Sequence, residues 1–227
     1  MPDWWPVRPG QGKGDRVTVP LRGVSTRDAL VAEIRRHILG GDLKPGEPLT
    51  EVGLAAMFGV ARPTVRSALQ ELLARNLAER SAGRSLRVPV FTADDVRDLF
   101  FVRTPLELEA VRRIVTERRP VVAAEAGLAA MEALAASASW GDRVDAHTRF
   151  HVALIGCAGS PRLDRLYPAM QEEMQLCLAQ LSDSYPRAGD LAAEHRTLLD
   201  AVRSGDEERA VTAMREHLRH ALDGLVG

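Results

Sequence analysis

The sequence is poor in aromatic residues, in cysteine and in long apolar runs, and each shortage excludes a class of protein. Only 4% of the 227 residues are aromatic although 45% are hydrophobic, so the core must be built from aliphatic side chains, which suits packed helices. Cys157 and Cys177 are the two cysteines and form no C-x-x-C pair, so we expect buried, reduced thiols in a cytoplasmic protein. No stretch approaches the ~18 apolar residues of a membrane span, so we expect no membrane partner.

The chain divides into three parts by composition. Residues 1–20, which include Trp4 and Trp5, are rich in proline, glycine and charge and lack the apolar middle of a signal peptide, so we expect a flexible tail. Residues 21–90 carry 11 Arg and Lys against 7 Asp and Glu, a net +4, whereas residues 91–227 carry 16 against 22, a net −6. Chance can also produce such a difference, but a basic segment before an acidic one indicates that the first meets a polyanion.

Residues 21–90 predict three helices and a β-hairpin. Ser25 or Thr26 can cap the first helix, and Gly59 permits the left-handed turn that separates the second from the third. Two short runs around Gly83 predict the hairpin. The helical stretches are STRDALVAEIRRHILGG, EVGLAAMFG and RPTVRSALQELLARN, of which the first is stopped by Gly40-Gly41 and the second ends at Gly59. Three helices followed by a hairpin are the layout of a winged helix-turn-helix domain, which binds DNA.

The third of these helices begins with basic and hydroxyl side chains. A recognition helix places its N-terminal residues against base edges in the major groove. Arg62 and Arg66 can each grip a guanine through two hydrogen bonds, and Thr64 can touch a thymine methyl or a phosphate. These residues could also be solvated helix residues, but the turn, the helix lengths and the hairpin favour the DNA-binding interpretation.

From Thr92 onwards the pattern is helical throughout. Thr92 and Asp95 predict a capping box at the start of the first helix. Pro105 lies inside that helix and should kink or break it, and Pro168 should bend a later one. About six helical stretches without a strand signal predict an all-α antiparallel bundle over residues 91–227, so the fold class is mainly α.

Four histidines of the predicted bundle are candidate metal ligands. His147 and His151 are four residues apart, about one helical turn, and therefore share a face. If the helices that carry His195 and His217 face this one, four imidazoles converge, and their nitrogens suit Zn²⁺, Ni²⁺, Co²⁺ or Fe²⁺. The spacing alone leaves open that they are packing or surface histidines.

Three motifs of the N-terminal part carry a family resemblance: G-D-L-x-P-G-x-x-L, L-A-x-x-x-G-V and R-x-x-V-R-x-A-L. Between about residues 25 and 90 the sequence resembles the DNA-binding domain of the GntR superfamily of bacterial transcription regulators. It departs from the pattern at Ala61, where many members have serine, and at Val52, where many have a basic residue. Phosphate anchoring and base preference are therefore expected to differ.

The resemblance assigns roles to five residues. It implies that Arg62, Thr64 and Arg66 make the base and phosphate contacts. It also implies that the tip of the hairpin, with Gly83 and Arg84, approaches the minor groove. The partner expected for this part is double-stranded operator DNA.

The second half of the chain carries the motifs V-R-x-x-L-E, F-H-x-x-L-x-x-x-x-G-x-x-x-L, EHRTLLDAVRSGD and A…MREHL. They resemble the all-helical ligand-sensing domain, called FCD, of the FadR-type branch of the same superfamily. The resemblance implies a divalent transition metal, Zn or Ni or similar, bound by His151, His195 and His217. The fourth ligand in the family is an Asp four residues before the F-H histidine; here that position is His147, while Asp145 would point elsewhere.

The arginine of V-R-x-x-L-E is the candidate effector contact. The resemblance implies that Arg103 points toward the ligand pocket, where its guanidinium can bind the carboxylate of a small organic or sugar acid through two hydrogen bonds. Arg103 could instead pair with Glu107, which lies one helical turn later.

These features together predict a ligand-responsive transcription regulator, most often a repressor in this family, that binds DNA as a homodimer. The stretch around Val88–Asp95 would be the hinge between its two domains. A metal-dependent enzyme that uses the histidines and a metal-free sensor of the same fold are the alternatives. The sequence contains no H-E-x-x-H, nucleophile elbow or phosphate loop, so the enzyme is the weaker of these hypotheses.

Overall fold

The computed structural model describes most of the chain: residues 25–81, 83, 85–180 and 188–226. The predicted tail with Trp4 and Trp5, and Arg84 in the hairpin, lie outside the described residues. The described residues form nine helices and one two-stranded antiparallel sheet, which confirms the predicted mainly α fold. None of the helices in this part of the chain is long and apolar enough to cross a membrane.

The N-terminal unit consists of three helices and a hairpin. The Ser25 hydroxyl accepts a hydrogen bond from the Asp28 amide at the start of the first helix, and the Thr50 hydroxyl accepts one from the Gly53 amide at the start of the second. Gly59 ends the second helix at a φ of 64°, a conformation that favours glycine, so the third helix begins after a tight turn. The elements are α1 (Thr26–Leu39), α2 (Glu51–Phe58), α3 (Arg62–Ala74), β1 (Glu79–Arg80) and β2 (Leu86–Arg87).

This unit has its own aliphatic core. The face of α3 that carries Val65, Leu69 and Leu72 is buried against α1 and α2. The opposite face of α3 is therefore left toward solvent, which is what a recognition helix requires. Other buried members of the core are Leu30, Ile34, Leu54, Leu77 and Val88.

The C-terminal unit is a bundle of six helices within the described residues. Capping boxes open two of them, between Thr92 and Asp95 and between Ser139 and Asp142. The first helix packs along the last, and the third lies between the second and the fourth. The helices are α4 (Ala93–Thr116), α5 (Val122–Glu132), α6 (Trp140–Gly156), α7 (Leu163–Gln180), α8 (Ala188–Arg203) and α9 (Glu207–Val226).

Two prolines lie inside helices without ending them. Pro105 was expected to kink or break its helix; it does not break it, because α4 continues through it from Ala93 to Thr116. Helix α7 likewise continues through Pro168, where a bend was predicted. A proline removes one backbone hydrogen bond. Residues on both sides of Pro105 are buried in the bundle, among them Phe100 and Ala110, and this burial offsets the loss.

The N-terminal unit docks on α7 and on the start of α6. Arg35 of α1 lies 3.2 Å from the Asp145 carboxylate, measured from Nη2 to Oδ1, and Arg75 after α3 donates from Nε to Glu172 Oε2 at 2.8 Å. Leu176 of α7 is 1% exposed and belongs to the core of the N-terminal unit. Further contacts between the two units join Asn76 to Glu173 and the side chain of Gln180 to the backbones of Pro89 and Phe91.

The cysteines are both free thiols, as expected, but they differ in burial. Cys177 on α7 is fully buried, whereas Cys157 is only half-buried. The expectation that both are buried is therefore wrong for Cys157. Its position at the C-terminal cap of α6, where the chain leaves the bundle, explains the difference.

Candidate metal centre and nucleic-acid interface

The four predicted histidines converge inside the bundle. His147 and His151 come from adjacent turns of α6, His195 from α8 and His217 from α9. One nitrogen of each lies within 4.8 Å of the others. All four residues are buried, with between 0% and 4% of their surface exposed. The convergence that the spacing left open is therefore present.

Three of these rings are held by a hydrogen bond on the side that faces away from the centre. In each case the Nδ1–H donates to an oxygen, which fixes the tautomer and leaves the Nε2 lone pair toward the other histidines. The pairs are His151 with Glu107 Oε2 (3.1 Å), His195 with the Leu191 carbonyl (2.7 Å) and His217 with Glu194 Oε1 (3.0 Å).

With each of these rings in its Nδ1–H tautomer, the Nε2 atoms lie close together and carry no proton between them. Nε2 of His151 is 3.1 Å from that of His195 and 3.2 Å from that of His217. Lone pairs at this separation repel unless a cation lies between them. Two nitrogens about 2.1 Å from one ion and 3.1 Å apart subtend about 95°, which metal coordination allows. Burial lowers the pKa of His147, His151 and His195 well below the usual range, with nearby charged groups adding to the effect, so the donor set fits a metal ion better than a proton.

His147 takes the position of the aspartate in the family pattern. Its ring centre is 4.6 Å from that of His151 and 4.9 Å from that of His195. Its buried Nδ1 meets no hydrogen-bond partner among the described residues, as expected of a nitrogen kept for a metal. Asp145 lies away from the cluster and contacts Arg35, in agreement with the prediction.

A buried polar network adjoins the histidines. Arg103 is 1% exposed and forms an ion pair with Glu107, the alternative that the sequence left open. Its Nη2 lies 3.3 and 3.4 Å from the two nitrogens of His151, so it sits over the face of the ring rather than in line with either lone pair. Tyr167 donates to Glu107 Oε1 at 2.6 Å, and Gln171 Nε2 donates to the Tyr167 hydroxyl oxygen at 2.5 Å. Burial, with the nearby Glu107 carboxylate, raises the pKa of Tyr167 well above its usual value.

Sequence reasoning missed most of this network. Glu107 belongs to the V-R-x-x-L-E motif, so the motif itself was the signal for its role. Tyr167 and Gln171 are one turn apart on α7, but nothing local links them to α4. Glu194 directly precedes His195 in the sequence, but adjacent helical residues point apart, and Glu194 meets His217 of the next helix.

A groove lies beside His217, the one histidine of the cluster among its lining residues. It has a volume of about 230 Å³ and lies between α8 and α9. Of its lining residues, His217 is buried, Glu194 is half-buried, and Glu216 and His220 are exposed. The groove therefore reaches His217 and its hydrogen-bond partner Glu194.

The predicted DNA contacts lie at the N-terminal end of α3. The side chains of Arg62 and Arg66 are 62% and 61% exposed, Thr64 is half-buried, and Gly83 is exposed between the two strands. Both arginines face Glu51, the first residue of α2. The exposed face of α3 thus presents cations and a hydroxyl.

Comparison with known proteins assigns both halves of the chain. Residues 26–88 match the family model described as bacterial regulatory proteins, gntR family, and residues 98–220 match that of the FCD domain. The chain is 31% identical over 206 residues to the "Probable D-xylose utilization operon transcriptional repressor" of Paenarthrobacter nicotinovorans. This alignment covers 89% of this chain and 88% of that protein. It is 30% identical over 217 residues to the HTH-type transcriptional regulator LutR of Bacillus subtilis, covering 84% and 96% of the two chains.

A solved structure from Rhodococcus sp. RHA1, described as a GntR transcriptional regulator, superposes with a TM-score of 0.78 at 25% identity and covers 88% of this chain and 97% of that one. The relatives and the matching families are transcription regulators and not enzymes. An FCD domain together with a buried histidine cluster can hold a metal ion. The chain belongs to the gntR family of bacterial regulatory proteins and carries an FCD domain behind its winged helix-turn-helix.

Proposed function

We propose that this regulator is a homodimeric repressor. Its affinity for operator DNA is changed by a small carboxylate effector that binds beside a metal ion in the helical bundle. One observation carries the proposal: three imidazole lone pairs, on His151, His195 and His217, face a common buried point next to Arg103. A sensor of this kind needs a site that recognises an anion and a connection from that site to the DNA-binding unit.

For the DNA-binding unit, we propose that Arg62, Thr64 and Arg66 enter the major groove while Gly83 and Arg84 of the hairpin approach the minor groove. The buried opposite face of α3 supports this orientation. A dimer sets two such helices about one DNA turn apart on a near-palindromic site. The name repressor is given to two relatives, one from Paenarthrobacter nicotinovorans and one from Escherichia coli, which supports the direction of control.

For the sensor, His147, His151, His195 and His217 would hold a divalent transition metal such as Zn²⁺ or Ni²⁺. The bound ion would supply positive charge and free coordination positions for an anionic oxygen. Arg103 lies over the ring of His151, so an effector carboxylate that reaches the cluster also reaches the guanidinium. Glu107 keeps Arg103 and His151 in place from the other side.

The connection runs through two helices that serve both sites. Helix α6 carries two histidines and Asp145, and α7 carries Tyr167 at one end and Leu176 in the core of the N-terminal unit. The stretch Val88–Asp95 remains the proposed hinge, and residue 90 the proposed domain boundary. An effector shifts the DNA-binding units only if it binds one arrangement better than the other.

The test is a gel-shift assay with the full-length protein and DNA from upstream of its own gene, at moderate salt. We expect a discrete shifted band that a member of a panel of organic and sugar acids releases, whereas the corresponding uncharged alcohols do not. Folded, metal-loaded protein that protects no site would contradict the proposed function. Release by the uncharged compounds would contradict the role of Arg103.

A further inference from the structure

One carboxylate faces both arginines of the recognition helix. Glu51 and Arg66 form a two-pronged pair in which Arg66 Nε donates to Oε1 at 2.6 Å and Nη2 donates to Oε2 at 2.8 Å. Nη2 of Arg62 lies 3.8 Å from the same Oε2. An arginine that is free to move on a helix surface samples many rotamers, whereas this pair confines Arg66 to one plane.

Glu51 is the better anchored partner. It is the first residue of α2, directly after the capping residue Thr50, where the partial positive charge of a helix N-terminus stabilises a carboxylate. Its side chain is 26% exposed against 61% for Arg66. The hydrogen bonds from Arg66 also lower the pKa of Glu51, so the carboxylate is ionised at neutral pH. The N-terminus of α2 therefore stabilises the Glu51 carboxylate, and the two hydrogen bonds to this carboxylate fix the orientation of the Arg66 guanidinium.

The pair leaves part of the guanidinium for another partner. A guanidinium has five N–H donors, and two point at Glu51, so three remain on its outer edge. Two parallel donors are what an arginine needs for the O6 and N7 of guanine. A DNA phosphate, in contrast, meets the negative charge of Glu51 beside the cation and gains less from it.

We infer that Glu51 is a positioning residue that orients Arg66 for a base edge and lowers its attraction to phosphate, so that it raises sequence specificity at the cost of non-specific affinity. The inference rests on the proposed DNA contact of Arg66. The residue that orients Arg66 of α3 therefore belongs to the neighbouring helix α2.

The experiment begins with selection of binding sites by full-length wild-type protein from a library of random DNA duplexes. Dissociation constants are then measured by fluorescence anisotropy for the selected duplex and for a random duplex of equal length, at several salt concentrations. The variants are Glu51→Gln, Glu51→Asp and the control Glu33→Gln, which breaks an exposed ion pair with Arg36 on α1.

We expect Glu51→Gln to bind random DNA more tightly and to lose about 5- to 150-fold in the ratio of specific to random binding, the range of one bidentate arginine–guanine pair. The salt dependence should steepen by about 0.9 per DNA-binding unit, since one opposing charge is removed. Glu51→Asp keeps the charge, so its salt dependence should match that of the wild type. Its side chain is one methylene shorter, so the ratio of specific to random binding should fall in part. Glu33→Gln should leave the ratio unchanged.

Three outcomes would overturn the inference. An unchanged ratio in Glu51→Gln means that Glu51 does not position Arg66. If Glu51→Gln loses affinity equally for both duplexes and its melting temperature falls, the Glu51–Arg66 pair only stabilises the contact between α2 and α3. A wild-type protein that enriches no sequence removes the proposed function itself, and this inference with it.

Discussion

At the scale of single residues, the outer hydrogen bonds of the histidines matter as much as their convergence. A buried imidazole can face a neighbour with either a proton or a lone pair, and its outer partner decides which. A carboxylate or carbonyl on Nδ1 of His151, His195 and His217 turns every Nε2 lone pair toward the same point. The cluster is therefore arranged as a set of acceptors and not as a hydrogen-bonded chain.

Removal of one ligand should remove the metal. We expect full-length protein purified without a nickel column to contain about one transition-metal ion per chain, and His151→Ala to contain only a small fraction of that, because the site loses a ligand at its centre. Elemental analysis measures both. The control His220→Ala removes an exposed histidine nearby and should retain the wild-type metal content. Equal metal content in wild type and His151→Ala would favour the metal-free sensor.

A change outside the cluster should weaken the metal without removing a ligand. Glu194→Gln takes away the ionised acceptor that orients His217, and such outer partners contribute about 10- to 100-fold to metal affinity. Competition with a chromophoric chelator measures this affinity. Glu216→Gln changes an exposed glutamate next to His217 in the sequence and should have no effect. If the two variants behave alike, Glu194 does not orient the ring.

At the scale of elements, α7 belongs to both halves of the molecule. Its apolar positions pack into the bundle, Tyr167 and Gln171 join the network around Glu107, and Leu176 completes the core of the N-terminal unit. A movement of α7 must therefore displace side chains that pack against α1 and α3. The periodicity of the sequence predicts α7 as a helix, but it does not predict that α7 packs against the N-terminal unit as well as against the bundle.

Truncation of the side chain that α7 gives to the N-terminal core should loosen that unit. Leu176→Ala should cost about 2–5 kcal/mol of the local free energy of unfolding, the range for a buried leucine. Hydrogen exchange should accelerate in α1 and α3 more than in α8 and α9. Leu166→Ala, an exposed leucine on the same helix, is the matched control and should change little. Uniform acceleration through the bundle would contradict the docking described above.

At the scale of the whole molecule, the charges of the two halves differ in sign. In the proposed function the basic N-terminal part would be attracted by DNA phosphates and the acidic bundle repelled by them, so we expect the protein to approach DNA with α3 forward. Neutralised phosphates release counterions, which makes the affinity depend on salt.

Binding to the selected duplex should therefore fall steeply between 50 and 200 mM salt, by about 10³-fold or more if six or more phosphates are contacted. Arg62→Ala should weaken binding by about 1–3 kcal/mol. Arg97→Ala, on the exposed surface of α4, should bind as the wild type does. Anisotropy titrations at four salt concentrations measure these effects, and a flat salt dependence would contradict the assignment of the interface.

The sequence by itself determined the helices, the hairpin and the order of the two units, because caps, apolar periodicity and turn glycines act within a few residues. It also identified the four histidines, since two share one helical turn and the others match family motifs. Of the two outcomes it predicted for Pro105, a break does not occur, because α4 continues from Ala93 to Thr116, whereas the kink stays a prediction.

Only the tertiary structure decided which acceptor each histidine meets, that Tyr167 reaches Glu107, that Glu51 holds Arg66, and that Leu176 serves the other unit. Apart from the bond of His195 to Leu191 within α8, the hydrogen bonds among them join residues that are between 15 and 60 positions apart in the chain. Local propensity carries no information about such pairs. They depend on how whole helices cross, and that depends on the packing of the complete core.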